Sequence, residues 1–267
     1  MSSSSWSTFA SRIRKLARSP TPTDGTAKPT NTSGPSRVAG VATSLFTKHQ
    51  TVRMLLAKRP REGCVGYFGS DGKMTTRNLS GDIGSITFEL YPTKCPLASF
   101  NFLSLCSGRF VVPPEEARDT IHRAFGDGAF SNSLKPQLDY KGSIFHRIIH
   151  GFGVQGGDIL TNNGTSQASV FGGPFQAREE MSDLPMDTEG LLLTASSSPD
   201  EIGSQFFVAT RKLDSPKYSY LNGACVCFGR VSSGVEILKA LEEEAVDFEQ
   251  RPKYVDIFIK ECELIGA

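Results

Sequence analysis

The chain has no C-x-x-C pair, no long apolar run, and one tryptophan, Trp6, near its start. A bilayer-spanning helix needs about 20 consecutive apolar residues, so no membrane span is expected. The four histidines (His49, His122, His146, His150) are scattered. The six cysteines (Cys64, Cys95, Cys106, Cys225, Cys227, Cys262) lack zinc-ligand spacing, so neither a metal nor a cofactor is expected. No secretory signal precedes these cysteines, which points to reduced thiols in a reducing compartment. Acid is also missing from one end. Residues 1–62 hold 11 Lys or Arg against Asp24 and Glu62, a net of +9, whereas residues 63–267 hold 18 against 26, a net of −8. A mildly acidic body is a poor nucleic-acid surface, so no nucleic acid is expected on it.

What is present at the N-terminus is serine, base and a thin apolar stripe. Trp6, Phe9, Ile13 and Leu16 follow helical spacing among Arg12, Arg14, Lys15 and Arg18. Such a make-up fits a mitochondrial transit peptide; the competing reading is a disordered basic tail of a cytoplasmic protein. Residues 20–43, rich in Pro, Thr, Ser and Gly, read as a linker. Leu45 to Lys58 fits a short helix, and Lys58-Arg59-Pro60-Arg61 is a weak nuclear import signal. Residues 1–62 are therefore read as an arm, with the folded body, a monomer, over 63–267.

In the body, Met74 to Leu79 and Ile83 to Tyr91 read as strands joined by a Ser80-Gly81-Asp82 turn. Thr93, Pro96 and Gly108 are the cap, first turn and terminator of a helix that buries Phe100, Phe102, Leu103 and Cys106. Residues 109–136 have no sustained period and form a surface insertion. Leu191 to Thr194, Ser204 to Ala209, Ala224 to Val231 and Tyr254 to Ile265 are further strands, and Val235 to Glu244 is a second helix. Seven or eight short strands with two helices and turn signals between them predict a mainly β fold, a closed antiparallel β-barrel capped at its ends.

The most informative stretch is Gly142 to Asp158, G-S-I-F-H-R-I-I-H-G-F-G-V-Q-G-G-D. Strand alternation puts Phe145, Arg147 and Ile149 on one face, with Ile144, His146 and Ile148 on the other. An arginine within such an apolar run is either an edge-strand residue in solvent or a cationic donor at the rim of an apolar pocket. Gly151, Gly153 and Gly156 spell G-x-G-x-x-G. A dinucleotide loop needs a helix to open there, and turn formers (Gly157 to Gly164) follow instead.

Three segments together resemble the cyclophilins, the peptidyl-prolyl cis-trans isomerase family. They are F-H-R-I-I-H-G-F-G-V-Q-G-G-D (145–158), G-S-Q-F-F-V-A-T (203–210) and F-G-R-V (228–231), and I-T-F-E-L-Y-P-T-K-C-P…N-F (86–102) fits the family's start. Spacing and order match over roughly 74–266, and the two ends are similar to the small cyclophilin-like branch. The resemblance implies a closed eight-stranded antiparallel β-barrel capped by two α-helices and a client made of proline-containing peptide segments. It further implies Arg147 as the catalytic arginine, Phe152 and Phe207 as floor and wall of a proline pocket, and Gln155 and Gln205 as flanking hydrogen-bonding residues. His146, Gly164, Ala195, Tyr220 and Leu221 would line the groove.

The chain departs from the family at several of these positions. Tyr220 stands where tryptophan is frequent, Gly153 where methionine is found beside Phe152, Ser196 where asparagine is usual and Cys225 where histidine is usual. Ser196 and Cys225 would still contact substrate. Loss of a side chain at Gly153 predicts a wider, weaker proline pocket and little or no affinity for cyclosporin-type macrocycles. Two functions compete: an isomerase assisting protein folding, and a proline-peptide binding module with little turnover. A Ser–His hydrolase built on His146 and Ser204 lacks the G-x-S-x-G elbow.

Overall fold

The computed structural model describes residues 51–64, 67–68, 74–75, 79–108, 138–180, 186–196, 201–221 and 223–265. The transit-like stripe, the linker and the 109–136 insertion lie outside them. The strands are β1 (Thr51–Pro60), β2 (Tyr67–Phe68), β3 (Met74–Thr75), β4 (Gly81–Leu90), β5 (Arg147–Ile149), β6 (Gly153–Gly156), β7 (Leu191–Thr194), β8 (Phe206–Ala209), β9 (Cys227–Ser233) and β10 (Val255–Ile265). The helices are α1 (Pro96–Ser107) and α2 (Val235–Leu241). Eight strands form one antiparallel sheet in the order β10-β1-β4-β9-β7-β8-β6-β5, which curls into a half-barrel; β2 and β3 pair separately.

Strand β1 corrects the reading of 45–58 as a helix over its described part, 51–58, and of the body as starting near residue 63. Met54, Leu55, Leu56 and Ala57 are competent helix formers, but β1 sits inside the sheet, paired with β10 on one side and β4 on the other. Val52, Met54 and Leu56 alternate inward and are fully buried. Ladders on both edges decide the conformation where local propensity is nearly neutral. The anticipated hairpin of residues 74–91 is also absent. Met74 pairs with Phe68, and β4 pairs with β1 and β9.

The inner face of the sheet wraps an aromatic core. Phe102 lies within 5.3 to 5.9 Å, centroid to centroid, of Phe88, Tyr140, Phe206 and Phe228. Helix α1 supplies Phe102 and is buried on every side from Leu97 to Cys106, and left-handed Gly108 (φ 61°) ends it as expected. Thr93 does not cap it. The cap position is Cys95, which makes no side-chain cap bond, and the free amides of Leu97 and Ala98 donate instead to the carboxylate of Glu180. Helix α2 is shorter than expected, ending at Leu241 rather than Glu244, with Leu238 and Leu241 buried. The segment ahead of β5 runs beside β10: Gly142 N donates to Ile259 O at 2.8 Å, Ile259 N to Ser143 O at 2.9 Å and Phe145 N to Ile257 O at 2.8 Å.

Candidate functional site

Side chains of directly paired residues leave an antiparallel sheet on the same side. Strand register sets out one such row: Arg147 on β5 faces Gln155 on β6, Gln155 faces Phe207 on β8, Phe207 faces Leu193 on β7, and Leu193 faces Cys227 on β9. The neighbouring row, Ile148-Val154-Val208-Leu192, points the other way into the aromatic core. The curled sheet therefore carries a second apolar cluster on its outer face: Ile149, Phe152, Leu191, Leu193, Phe207 and Leu221 among others, with half-buried Ala195, Tyr220 and Cys225 packed against it. Phe145 does not share that face. Regular pairing begins only at Arg147, and Phe145 turns inward against Phe206, 5.8 Å between centroids.

Arg147 is half buried at the rim of this cluster. Its Nε donates to Gln250 Oε1 at 2.8 Å. Gln155 donates from Nε2 to Gln205 Oε1 at 3.0 Å, and Gln205 Nε2 donates to Ser166 O at 2.7 Å. Each glutamine thereby keeps one defined amide orientation. Ala195 joins the same network through its amide, which donates to Gln205 O at 3.0 Å, and Ser196 follows it, also half buried.

His146 and Gly164 meet on the other flank. Gly164 has φ +85°, and a Cβ there would stand 2.8 Å from His146 Nε2, so this contact requires glycine. Burial pushes the His146 imidazole down to about 4, more than the opposing effect of Asp158, so the ring is neutral near pH 7. Neither ring nitrogen hydrogen-bonds Ser204, whose own Oγ is buried and unpartnered, so no Ser–His pair exists.

Asp158 builds the loop that holds Gly164. Its carboxylate accepts bonds from the amides of Leu160, Thr161, Asn163, Gly164, Thr165 and Ser166 and from the hydroxyls of Thr161 and Ser166. Burial opposes its charge, but the bonds from Ser166 and Thr161 outweigh it and hold the carboxyl well below the usual range.

The residues expected to form a proline pocket pack closely on one another. Phe152 is fully buried, stacked on Phe207 at 4.5 Å and on Tyr218 at 5.5 Å. A Cβ on Gly153 would come within 2.5 Å of the Phe207 ring and 2.2 Å of Val208 O. The place a side chain would take at Gly153 is thus filled by the Phe207 ring and the β8 backbone. Leu221 is buried, its carbonyl accepting from the amides of Ala224 and Cys225 at 3.0 and 3.2 Å. Burial pushes the Cys225 thiol up to about 12, so it stays protonated.

Two residues of this site carry no local sequence signal. Tyr218 comes from the 3-10 turn Pro216–Leu221, where Pro216 is the only hint of regular structure. Gln250 is 103 positions from Arg147 and adopts a left-handed conformation (φ 67°) that few non-glycine residues hold. Among the described residues no group of three or more His, Cys, Asp or Glu is placed to hold a metal ion. No helix among them is long and apolar enough to cross a membrane.

Comparison with known proteins agrees with this geometry. Residues 73–264 match the family described as cyclophilin type peptidyl-prolyl cis-trans isomerase/CLD. A peptidyl-prolyl cis-trans isomerase of Rhizopus delemar is 37% identical over 180 residues, covering 67% of this chain and 46% of its own length. The human NK-tumor recognition protein is 33% identical over 185 residues, 69% of this chain but 11% of that protein. The chain thus spans less than half the length of these relatives. A crystal structure of a Cryptosporidium parvum cyclophilin type peptidyl-prolyl cis-trans isomerase superposes with a TM-score of 0.53 at 27% identity, covering 82% of this chain and 97% of that one. A second structure of it, in the presence of the dipeptide ala-pro, gives 0.53 at 28%, covering 80% of this chain and 98% of that one. The fold, the outer-face row and the matched span together place this chain in the cyclophilin family.

Proposed function

We propose that the chain is a peptidyl-prolyl cis-trans isomerase that rotates X-Pro bonds in client proteins, with Arg147 as its catalytic group. Rotation about an amide faces a barrier of about 18–20 kcal/mol because the nitrogen lone pair is delocalised into the carbonyl. No nucleophile is required. The catalyst must grip the proline ring and favour the twisted state, in which the lone pair is localised on nitrogen. A guanidinium donating toward that nitrogen stabilises it, and being always charged it needs no proton transfer. The observation that carries this reading is the Arg147-Gln155-Phe207 row, with the guanidinium tethered by Gln250 on the sheet face that carries the Phe152–Phe207 stack. Gln155 and Gln205, bonded to each other, would hold the substrate backbone, and His146, Gly164, Ala195, Ser196, Tyr220, Leu221 and Cys225 would border the peptide.

We further take the bonds between residues 142–145 and β10 to close the half-barrel into a barrel, with α1 and α2 over its ends. A closed barrel keeps the outer face rigid, as a preorganised site requires. Weak macrocycle binding follows from Gly153, now because Phe207 leans into the space a longer neighbour would occupy.

A second reading, a proline-peptide binding module with little turnover, is favoured by one observation: Phe207 is only 6% exposed, so its ring offers little open wall. Arg147→Ala separates the two. For an isomerase, exchange NMR on an Ala-Pro peptide should show a loss of about 10²-fold or more in the catalysed rate while peptide binding persists. A wild-type chain that binds the peptide without accelerating its exchange leaves only the module.

A further inference from the structure

The turn between β5 and β6 opens onto a cavity of about 320 Å³ lined by His150, Gly151, Arg211 and Lys217. Three of those four are bases, although residues 63–267, which contain them, carry a net charge of −8. Eight other described bases, Arg53, Lys58, Arg59, Arg61, Arg230, Lys239, Arg251 and Lys260, each lie within ion-pair distance of a carboxylate. Arg211 and Lys217 have no carboxylate at that distance among the described residues. Glu242, which bonds the residues next to Gly151 and Arg211, is committed to the amide of Phe152 at 3.2 Å and to the Thr210 hydroxyl. These two bonds tie the β5–β6 turn to the end of β8, and Lys217 comes to the cleft from the 3-10 turn Pro216–Leu221.

The cations are also placed rather than loose. Gly151 has φ +69°, and a Cβ there would meet Arg211 Nη2 at 3.0 Å, so the guanidinium lies against the bare backbone of the turn. Lys217 Nζ stands 4.7 Å from the Tyr218 ring centroid, and Tyr218 stacks on Phe152. The cationic cleft and the apolar cluster are therefore adjoining parts of one surface. A concave, uncompensated cluster of bases in an acidic surface concentrates anions locally.

We infer that this cleft is an anion subsite for the client, receiving a glutamate, aspartate or phosphorylated side chain a few residues from the proline that occupies the neighbouring cluster. The inference rests on the prolyl-peptide reading above. It makes Arg211 and Lys217 specificity-determining residues, and it selects among X-Pro sites by the charge of their flanks. Carboxylate and phosphate share the chemistry: each offers anionic oxygens to a guanidinium fork and an ammonium.

The test uses the full chain and labelled Ala-Pro peptides that differ at one flanking position, carrying Gln, Glu or phosphoserine. Binding is followed by fluorescence anisotropy and turnover by exchange NMR. At low salt the Glu and phosphoserine peptides are expected to bind about tenfold more tightly than the Gln peptide, with the ratio shrinking as salt rises. In Arg211→Glu and in Lys217→Glu the ratio should fall to about one or below. Equal affinities in the wild type, or a preference that survives both substitutions, overturn the inference. So does an oligonucleotide that outcompetes the phosphoserine peptide with the same Arg211 dependence, which would make the cleft a nucleic-acid contact. If no peptide is isomerised, the enzyme reading fails, and the anisotropy ratio still decides the subsite.

Discussion

At Arg147 the strand and the loop after α2 meet, and their contact defines how the guanidinium is held. A charged donor at the rim of an apolar cluster has many rotamers, and one side-chain bond at 2.8 Å to Gln250 removes most of them. Gln250 is thus a positioning residue, itself in a left-handed backbone conformation. Gln250→Gly isolates the side chain, because glycine keeps φ 67° without strain. A hydrogen bond to a charged group contributes about 1.5–3 kcal/mol, so the catalysed rate should drop about tenfold or more with the melting temperature little changed. The Arg147 Nε–H resonance should shift at the same time, which a merely structural loop residue would not cause. An unaltered resonance and rate would remove Gln250 from the site. Arg147, Gln155 and Phe207 were legible as candidates because their segments resemble those of the cyclophilins. Gln250 was not, since a bond spanning 103 positions leaves no mark on its neighbours.

The elements show the same division. Helix α1 is visible in sequence through Pro96 and Gly108, yet the group that satisfies its first amides, Glu180, arrives from a 3-10 turn more than 80 residues on. Strand β6 was hidden inside a glycine-rich run. Gly153 and Gly156 are poor strand formers, and they fit because Phe207 and Phe145 crowd the places where their side chains would be. Glu180 also makes a prediction at this scale. Burial raises its carboxyl from the ordinary value of 4.5 to about 7, although the amides of Ala98 and Leu97 pull the other way. Between those values the folded chain holds a proton that the unfolded chain has released. Stability is then full below about pH 4.5 and declines as pH rises to about 7, by at most about 3 kcal/mol. Glu180→Gln should flatten that decline in thermal melts, and a persisting slope would assign it elsewhere. Asp158 has the opposite sign: its carboxyl is held low, so its contribution is present above the usual carboxylate range and fades in acid. Asp158→Asn replaces an acceptor oxygen by a donor and should loosen the 159–166 loop. The expected readout is faster amide exchange at Gly164 and Thr165 with exchange in β1 unchanged.

For the whole molecule the decisive element is β1, whose residues the charge split had assigned to the basic arm. Composition marks Arg53, Lys58, Arg59 and Arg61 as part of a positive tail, yet each is paired with an acid of the body: Glu263, Glu244, Asp256 and Asp247. The +9 and −8 halves are therefore partly stitched together through the sheet rather than lying apart. Surface pairs of this kind contribute little each, so the weight falls on burial. Val52, Met54 and Leu56 are fully enclosed, and exposing three such side chains costs about 5–8 kcal/mol. That is comparable with the whole stability of an ordinary domain, about 5–15 kcal/mol. A chain beginning at residue 63 would also leave β10 and β4 with facing, unpaired edges, which invites aggregation. Such a chain should come out insoluble or with a collapsed amide spectrum, while one beginning near residue 45 gives a dispersed spectrum and a single cooperative melt. If the chain from residue 63 folds as cooperatively and turns over an Ala-Pro peptide as fast, β1 is an accessory strand, and the sheet's other seven strands hold the Arg147 row without it.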